Sequence, residues 1–406
     1  MNSFIYTIIF IYLLLLSFVN GFAYNSFITI PFFASLTFVF FYLNKVNRIR
    51  SIRSSASVLL FLYWLLFTCS FLVVSTGEKC INQYLMWSYS FLFYYFFFKY
   101  LLIGYYKEEF VRSKILKALA FGVILTSLFV VFEFVSKNFL GLPIDNYIPR
   151  GKLDEMNSEN LLGGVRCRGL TEESSHLGFY LLSLCPISFF WIIRYVKKKV
   201  MRLLLIFLIC LSILFSFSSG AYAISLFTLL MYLNSYIKKH NVFINLIIII
   251  LLSTFVLSFY TDSIFFQTIA MKFDENSISG QDRWSRIEAL NYLKDMHWVI
   301  GYGPAAYSTL RIPSFISLVV GVLMNTGIIG MILMILFMVS VYKDIRRIDD
   351  EFLRTSIKIA FLNCCLFFTF GDLFYVPWFW VVASLAATFG YFSQRNKFIK
   401  KRQKLI

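Results

Sequence analysis

Long apolar segments separated by short polar ones run along the whole chain. Because about 20 apolar residues are needed to cross a bilayer as a helix, twelve of these segments are predicted to be helical spans. They lie near residues 4–22, 26–43, 56–75, 84–104, 116–136, 176–194, 201–218, 220–236, 242–260, 313–341, 355–372 and 375–393. The pattern predicts an all-α integral membrane fold with about 12 transmembrane helices. These helices form a single polytopic domain over residues 1–406.

Two details of this assignment need separate arguments. The first apolar segment has no basic n-region and no small-residue cleavage site, so it is interpreted as a transmembrane helix and not as a signal peptide. The spans near 201–218 and 220–236 are joined by Phe217-Ser218-Ser219-Gly220. That turn is very tight for an external connection, which makes this pair the weakest part of the assignment.

The composition agrees with a membrane protein. Hydrophobic residues make up 59% of the chain and charged residues 15%, whereas an ordinary soluble domain is about 45–50% apolar. The net charge of +17 would suggest a nucleic-acid partner in a soluble protein. Here the basic residues lie in short connections between the spans, so the positive-inside rule explains them and no nucleic-acid partner is expected.

The same basic residues predict the orientation of the chain. They cluster in residues 45–53, 107–114, 194–202, 238–239, 343–358 and 395–404. All of these clusters fall on one side if the N-terminus is cytoplasmic, and both termini are then predicted to be cytoplasmic. Two long extracytoplasmic loops remain, 137–175 and 261–312, and long loops of this kind usually carry function. The chain has no internal repeat with matched broken helices, which disfavours a secondary transporter.

The end of the first long loop is unusually charged, with the sequence VRCRGLTEESSH over residues 165–176. Ser174 or Ser175 suits the N-cap of the sixth span, and Glu172 and Glu173 would lie near the positive end of its helix dipole. Helix capping alone is therefore a sufficient explanation for the serines and one glutamate.

Capping does not explain the two arginines of this segment. Arg166 and Arg168 are two residues apart and stand just before Gly169. Their guanidinium groups are suited to hold the oxygens of a pyrophosphate at the membrane surface. The alternatives are contact with lipid headgroups and pairing with the adjacent glutamates.

The second long loop contains apolar residues at helical spacing, which predicts a helix in the membrane interface. These residues are Trp284, Ile287, Leu290, Leu293 and Met296. Arg283 and Arg286 share one face of that helix and form a second cationic site. Gly301-Tyr302-Gly303-Pro304 is predicted to be a turn. It is not a dinucleotide site, because the third glycine and the strand-turn-helix context are missing. A structural role is favoured for the lone His297.

Two acids lie within or close to the predicted spans, Glu133 and Asp372. Charges in a membrane are costly and are functional hypotheses by default. Both lie near the outer ends of their spans, so an ordinary interfacial position is the alternative. The cysteines do not have zinc-ligand spacing, and the loops contain no DxD-like or His-rich metal motif.

Three segments together resemble one known family. Residues 166–175 resemble an Arg-x-x-Gly segment followed by an acidic helix start, and residues 215–221 resemble a Ser-Arg-Gly-Ala helix start with Ser219 in place of the arginine. Arg283-Trp284 with residues 300–303 resembles an Arg-x-x-x-Trp and Ile-Gly-x-Gly pair with the tryptophan displaced. These are features of the O-antigen polymerase/ligase superfamily of bacterial envelope glycan assembly, and the resemblance covers roughly residues 160–340.

One departure favours the polymerase branch of that superfamily. The ligases resemble one another in a His-[Asn/Ser/Gln], nine residues, Gly-x-x-Gly pattern. Gly327-Ile328-Ile329-Gly330 is present here, but Ile316, followed by Ser317, stands where the histidine is expected. A ligase that needs that imidazole is therefore disfavoured, and the resemblance implies an O-antigen polymerase.

The resemblance implies a metal-independent glycosyltransferase of the bacterial inner membrane that needs no cofactor. It would move a glycan from one undecaprenyl pyrophosphate to the non-reducing end of the next lipid-linked repeat unit. The expected site residues are Arg166, Arg168, Arg283 and Arg286 for pyrophosphate, Glu173 or Glu172 as the base, and Tyr302, Tyr307 and His176 for glycan contact. The expected partners are this lipid-linked oligosaccharide and membrane lipids, and a chain-length regulator protein is a candidate.

The alternatives are an O-antigen ligase or a capsule or exopolysaccharide polymerase of the same superfamily, a lipid-linked oligosaccharide flippase, and a non-catalytic scaffold. A flippase should line its central cavity with charges inside the spans, whereas this chain concentrates non-cytoplasmic charge in two loops. A scaffold would not need paired arginine sites.

Overall fold

The computed structural model describes residues 2–19, 29–43, 54–74, 77–142, 144–148, 166–237, 288–293, 297–311, 315, 317–369 and 371–403. Within these residues the regular structure is entirely helical. The α-helices are α1 (Asn2–Leu14), α2 (Ile30–Leu36), α3 (Phe38–Leu43), α4 (Ser55–Val74), α5 (Glu78–Tyr89), α6 (Phe98–Tyr105), α7 (Glu108–Phe110), α8 (Leu116–Asn138), α9 (Ser174–Tyr195), α10 (Lys199–Phe215), α11 (Ser219–Ile237), α12 (His297–Ile300), α13 (Ala306–Thr309), α14 (Leu318–Arg346), α15 (Glu351–Phe367) and α16 (Pro377–Gln403). Two π-helical segments, Ser90–Phe97 and Val111–Ile115, join α5 to α6 and α7 to α8.

Four of the described helices are long and apolar enough to cross a membrane, and the fold is compatible with a membrane protein. They are Ser55–Val73, Glu108–Asn138, Ser174–Tyr195 and Leu318–Arg346. Helices overlap every predicted span except 242–260, which lies outside the described residues. The count of twelve crossings stays a prediction, as do the two long loops, because residues 149–165 and 261–287 also lie outside the described residues.

The tight turn between the two weakest spans separates two distinct helices. Helix α10 ends at Phe215 and α11 begins at Ser219. Phe217, between them, has a positive φ of 45°, a left-handed conformation that reverses the chain sharply. The prediction of two helices in this region is confirmed.

Aromatic packing joins the ends of four helices around Phe368. Phe179 of α9 stacks on Phe367 with ring centroids 4.4 Å apart and meets Phe368 at 5.6 Å and Trp378 of α16 at 5.3 Å. The backbone N–H of Leu318, the first residue of α14, donates to the Phe368 carbonyl at 3.0 Å. The start of α9, the start of α14, the end of α15 and the start of α16 therefore lie at one end of the bundle.

Ion pairs hold the opposite end together. Arg112 contacts Glu108 at 2.5 Å and Asp350 at 2.8 Å, and Lys397 contacts Asp349 at 2.7 Å. These contacts join the start of the helix that contains α8 to α15 and α16. Of the basic clusters, residues 107–114, 194–202, 343–358 and 395–403 are described and lie at this end, which the charge pattern predicts to be cytoplasmic.

Candidate functional site

A buried carboxylate near the end of α8 holds the charged segment that the sequence singled out. The Glu133 side chain is fully buried. Its carboxylate accepts from the backbone N–H of Gly169 at 2.7 Å and from that of Arg168 at 3.2 and 3.3 Å. Such bonds are needed, because an uncompensated buried charge is strongly destabilising. Glu133 therefore joins α8 directly to the segment that precedes α9.

Lys137, one turn further along α8, supplies the opposite charge. Its ammonium contacts Glu133 at 2.6 Å and Asp145 at 2.7 Å, with only 5% of the lysine side chain exposed. It also donates to the Arg166 carbonyl at 3.5 Å. This network brings Asp145 and Arg166, on either side of an undescribed stretch of the first loop, to the end of α8.

The chain then turns sharply into α9. Gly169 has a φ of +59°, and a Cβ at this position would lie 3.1 Å from both Leu177 and Val130. The Thr171 hydroxyl donates to the Arg168 carbonyl at 2.7 Å and to the Glu173 carbonyl at 2.9 Å. The turn is therefore closed by the threonine hydroxyl and tolerates only glycine without strain.

The predicted N-cap is wrong by one or two residues. The N-cap of α9 is Glu173, with φ −130° and ψ 156°, and its side chain does not cap the helix. Ser174 is already helical, and the Ser175 hydroxyl donates to the Glu173 carboxylate at 3.0 Å. Glu173 has an extended backbone and is therefore the last residue before the helix. Its carbonyl also accepts the hydrogen bond from the Thr171 hydroxyl.

The two arginines of the segment have different environments. Arg168 is buried, with 6% of its surface exposed, while Arg166 is half-buried. Arg166 therefore presents more surface to a ligand, and Arg168 contributes its backbone N–H to the Glu133 contact. Sequence reasoning gave these two arginines nearly equal weight as pyrophosphate ligands. Their spacing along the chain does not show which of the two side chains is buried.

The second segment of the family resemblance contacts the first. The Cys167 N–H donates to the Phe215 carbonyl at 3.2 Å, and Phe215 stacks on Phe134 of α8 at 3.7 Å. A Cβ on Gly178 would lie 2.7 Å from the Ala221 Cβ, so α9 and α11 approach closely there. Residues 166–175 and 215–221 thus form one site with the end of α8.

The third segment lies against a break in α14. The Tyr302 N–H donates to the Met324 carbonyl at 2.7 Å and the Gly303 N–H to the Asn325 carbonyl at 3.0 Å. Gly327 breaks the helix with φ 62° and ψ −165°, and a Cβ on it would lie 2.3 Å from the Val299 carbonyl carbon. Gly301 has a φ of +74°, and a Cβ there would lie 2.4 Å from the backbone of Asn325. Gly301-Tyr302-Gly303-Pro304 is thus confirmed as a turn, and glycine permits its close approach.

Two side-chain amides support this turn. The Asn325 side chain accepts from the Ala306 N–H at 3.2 Å and donates to the Gln83 side chain at 3.3 Å. Gln83, on α5, also accepts from the Ala305 N–H. Sequence reasoning missed Gln83, because its partners are more than 200 residues away along the chain.

His297 packs against the turn, and its favoured structural role stays a prediction. Its ring stacks on Tyr302 with centroids 3.8 Å apart, and its Nδ1 lies 3.1 Å from the Gly301 carbonyl. The Tyr302 hydroxyl donates to the Tyr292 carbonyl at 2.6 Å. One face and the hydroxyl of Tyr302 are therefore already used in packing, which leaves less of it for a glycan than Tyr307, whose half-buried ring meets Phe315 edge-on.

The remaining predicted site residues are partly or fully buried at the start of α9, or lie outside the described residues. Glu172 and Glu173 are half-buried at the start of α9, and His176 is 8% exposed, so it offers a glycan little surface. Arg283 and Arg286 lie outside the described residues, as do Trp284, Ile287 and Met296 of the predicted interfacial helix. Of that helix, residues Glu288–Tyr292 form a 3₁₀ turn, and Leu293 is buried in a cluster with Met324.

Asp372 is a second acid at this end of the bundle. It lies outside the helices, in the turn between α15 and α16, and its Oδ2 is 3.3 Å from where a Cβ on Gly321 would lie. Its Oδ1 is enclosed without a hydrogen-bond partner among the described residues. Burial raises the pKa of Asp372 to about 7, and its charge adds to the effect of burial in raising the pKa of Tyr307.

No protein-family model matches this chain, and no curated protein matches it significantly. Within the described part of the chain, His, Cys, Asp and Glu side chains do not form a group of three that could hold a metal ion. The function is therefore argued from the arrangement of the arginines and carboxylates.

Proposed function

We propose that this protein is an O-antigen polymerase that acts on lipid-linked oligosaccharides. It transfers a growing glycan from its polyprenyl pyrophosphate carrier to the non-reducing end of the next lipid-linked repeat unit, on the outer face of the bacterial inner membrane. The observation that carries the proposal is the turn Arg166–Gly169, which a buried Glu133 and Lys137 hold at the start of α9.

The reaction matches the groups that this turn presents. The attacking hydroxyl oxygen of the acceptor sugar forms a bond to the anomeric carbon of the donor. The bond between that carbon and the phosphate oxygen breaks, and the electron pair leaves with the polyprenyl pyrophosphate. The Arg166 guanidinium stabilises the developing negative charge, and the carboxylate of Glu173, or of Glu172, accepts the hydroxyl proton.

The Glu133 network supports this chemistry by fixing the turn in advance. Charge stabilisation in a transition state is effective when the donors are already in position and need not reorganise. The buried bonds from Arg168 and Gly169 to Glu133 hold the backbone two residues after Arg166. The substrate carries its own activated bond, so the reaction needs no nucleotide. Arg283 and Arg286 stay predicted ligands of the pyrophosphate.

The described spans give less support to a flippase. Lys99 is a buried charge within a predicted span, with 1% of its surface exposed. Its ammonium donates to Ser57 and lies 4.7 and 4.4 Å from the ring centres of Tyr95 and Tyr100. This amine is enclosed by packing instead of lining a passage, so it favours a structural role over substrate transport.

Deletion of the gene in its own strain tests the class of activity. Loss of a polymerase leaves lipopolysaccharide with a single repeat unit, which is visible as one short band on a gel. Loss of a ligase or a flippase leaves lipopolysaccharide without any repeat unit. A deletion strain that lacks the single-unit form would exclude the polymerase.

Arg166→Lys tests the role of the guanidinium in the complemented strain. Lysine keeps the charge but loses the two-pronged geometry that suits phosphate, so we expect chain length to fall to one or a few repeat units. Arg346→Lys is the matched control, because Arg346 is exposed at the opposite end of the bundle. If Arg166→Lys and Arg283→Lys both give full-length chains, two-pronged binding by these arginines is wrong.

A further inference from the structure

A polar cavity lies at the opposite end of the bundle from the candidate site. It has a volume of about 640 Å³, within the range of about 300–1,000 Å³ that ligand pockets occupy. The turn before α7, the end of α9 and the second half of α16 form its walls. The lining residues are Lys107, Glu108, Glu109, Arg112, Arg194, Tyr195, Phe392, Arg395, Asn396 and Ile399.

The charges in this cavity are not balanced among themselves. Glu108 is bonded to Arg112 at 2.5 Å and to the Asn396 amide at 2.9 Å, and Arg112 is bonded on its other side to Asp350. Three further cations line the walls: Lys107, Arg194 and Arg395.

Within the described residues, these three cations have no carboxylate within ion-pair distance. Glu109 is the remaining acid of the lining. The net charge of the cavity lining is therefore positive. It is accessible to a ligand, since Arg194 and Arg395 are both on the surface.

The rest of the lining is apolar and aromatic. Phe392 is buried, with 4% of its surface exposed, and Ile399 is exposed. Tyr195 stacks on Trp191 with centroids 5.9 Å apart, and the Trp191 indole donates to the Ser113 carbonyl at 3.1 Å. Aromatic residues of this kind are typical of the interface between membrane and water. The cavity thus combines cations with an apolar wall.

We propose that this cavity binds the phosphate headgroup of an anionic phospholipid. The basic clusters predict that this end faces the cytoplasmic leaflet, whose surface carries anionic lipids that attract nearby Lys and Arg side chains. Lys107, Arg194 and Arg395 bind the phosphate, and the exposed Tyr195 and Ile399 pack on the first carbons of the lipid chains. This site is at the other end of the bundle from Arg166 and does not depend on the proposed polymerase activity.

Native mass spectrometry of the purified full-length chain tests this site. The protein is titrated in separate arms with short-chain phosphatidylglycerol and short-chain phosphatidylcholine, and inorganic phosphate is added as a competitor in a third arm. We expect phosphatidylglycerol to bind about tenfold more tightly than phosphatidylcholine. Inorganic phosphate at millimolar concentration should displace little of the lipid, because it does not use the apolar wall.

The double variant Arg194→Gln/Arg395→Gln should weaken phosphatidylglycerol binding about tenfold or more. Lys197→Gln/Lys198→Gln removes the same charge from exposed residues outside the cavity and should change binding less than about twofold. Arg194→Lys/Arg395→Lys should keep most of the binding, because it keeps both charges. Equal binding of the two lipids, an unchanged double variant, or displacement of the lipid by inorganic phosphate would each overturn the proposal.

Discussion

The turns at Arg166–Gly169 and Ile300–Gly303 lie at the same end of the bundle but are held by different forces. The first is fixed by a buried carboxylate and its lysine, with two bonds to backbone N–H groups. The second is fixed by backbone bonds to α14 and by glycines that let two segments of the backbone approach within van der Waals distance. The first should therefore be sensitive to loss of charge and the second to added side-chain volume.

Gly327→Ala should have the largest effect on stability. Its backbone lies in a region that only glycine adopts readily, which costs other residues about 1–3 kcal/mol. The added methyl would also overlap the backbone of Val299, and overpacking costs about 1–3 kcal/mol more. Thermal unfolding of the purified protein in detergent measures the loss.

Gly141→Ala separates the two contributions to that loss. Gly141 has the same φ of +62° as Gly327, but a Cβ there would have no atom within 4 Å. The Gly141→Ala variant should therefore lose only the stability that backbone strain costs. Equal losses for the two variants would mean that the close approach of residues 299–301 to α14 is wrong.

Glu133→Gln should have the next largest effect. Removing one partner of a buried ion pair costs about 3–5 kcal/mol, because the other charge is left in a poorly solvated place. We expect both a lower melting temperature and shorter glycan chains, since Arg166 lies in the turn that this carboxylate holds. Gly327→Ala adds volume and removes no charge. The two turns are therefore distinguished by which kind of change destabilises each of them.

A double-mutant cycle with Lys137→Met sharpens this result. The variant Glu133→Gln/Lys137→Met leaves neither charge of the pair, so its loss should be smaller than the sum of the two single losses. Additive losses would show that Glu133 and Lys137 do not interact in the folded protein, and the network that holds Arg166–Gly169 would then be wrong.

Asp372 should give an effect that depends on pH and that is the smallest of these at acidic pH. Burial raises its pKa to about 7 in the folded state, above the value of about 4 of a solvated carboxyl. Between these values the folded protein binds a proton that the unfolded chain has lost, so stability falls as the pH rises from about 4 to about 7 and then levels off. Asp372→Asn should raise the melting temperature at about pH 8 and change it little at about pH 4. An identical difference at both pH values contradicts the raised pKa.

The sequence predicts the elements of this fold better than the contacts between them. Apolar runs are local signals, so the helix that begins at Ser174 and the break between α10 and α11 follow from the chain alone. The contact between Glu133 and Gly169 spans 36 residues and that between Gln83 and Asn325 spans 242. No local pattern encodes these pairs, although an acid inside a span was a signal that Glu133 has a specific partner.

Reconstituted transfer tests the central proposal most directly. Lipid-linked repeat units extracted from the deletion strain are added to the purified chain in liposomes, without nucleotide or metal. The account predicts that lipid-linked chains of two or more repeat units form, with one free polyprenyl pyrophosphate released for each new bond. It also predicts that Arg166→Lys and Glu133→Gln reduce both products together, while Arg346→Lys does not. Lipid-linked repeat units that stay intact with the wild-type chain would contradict it.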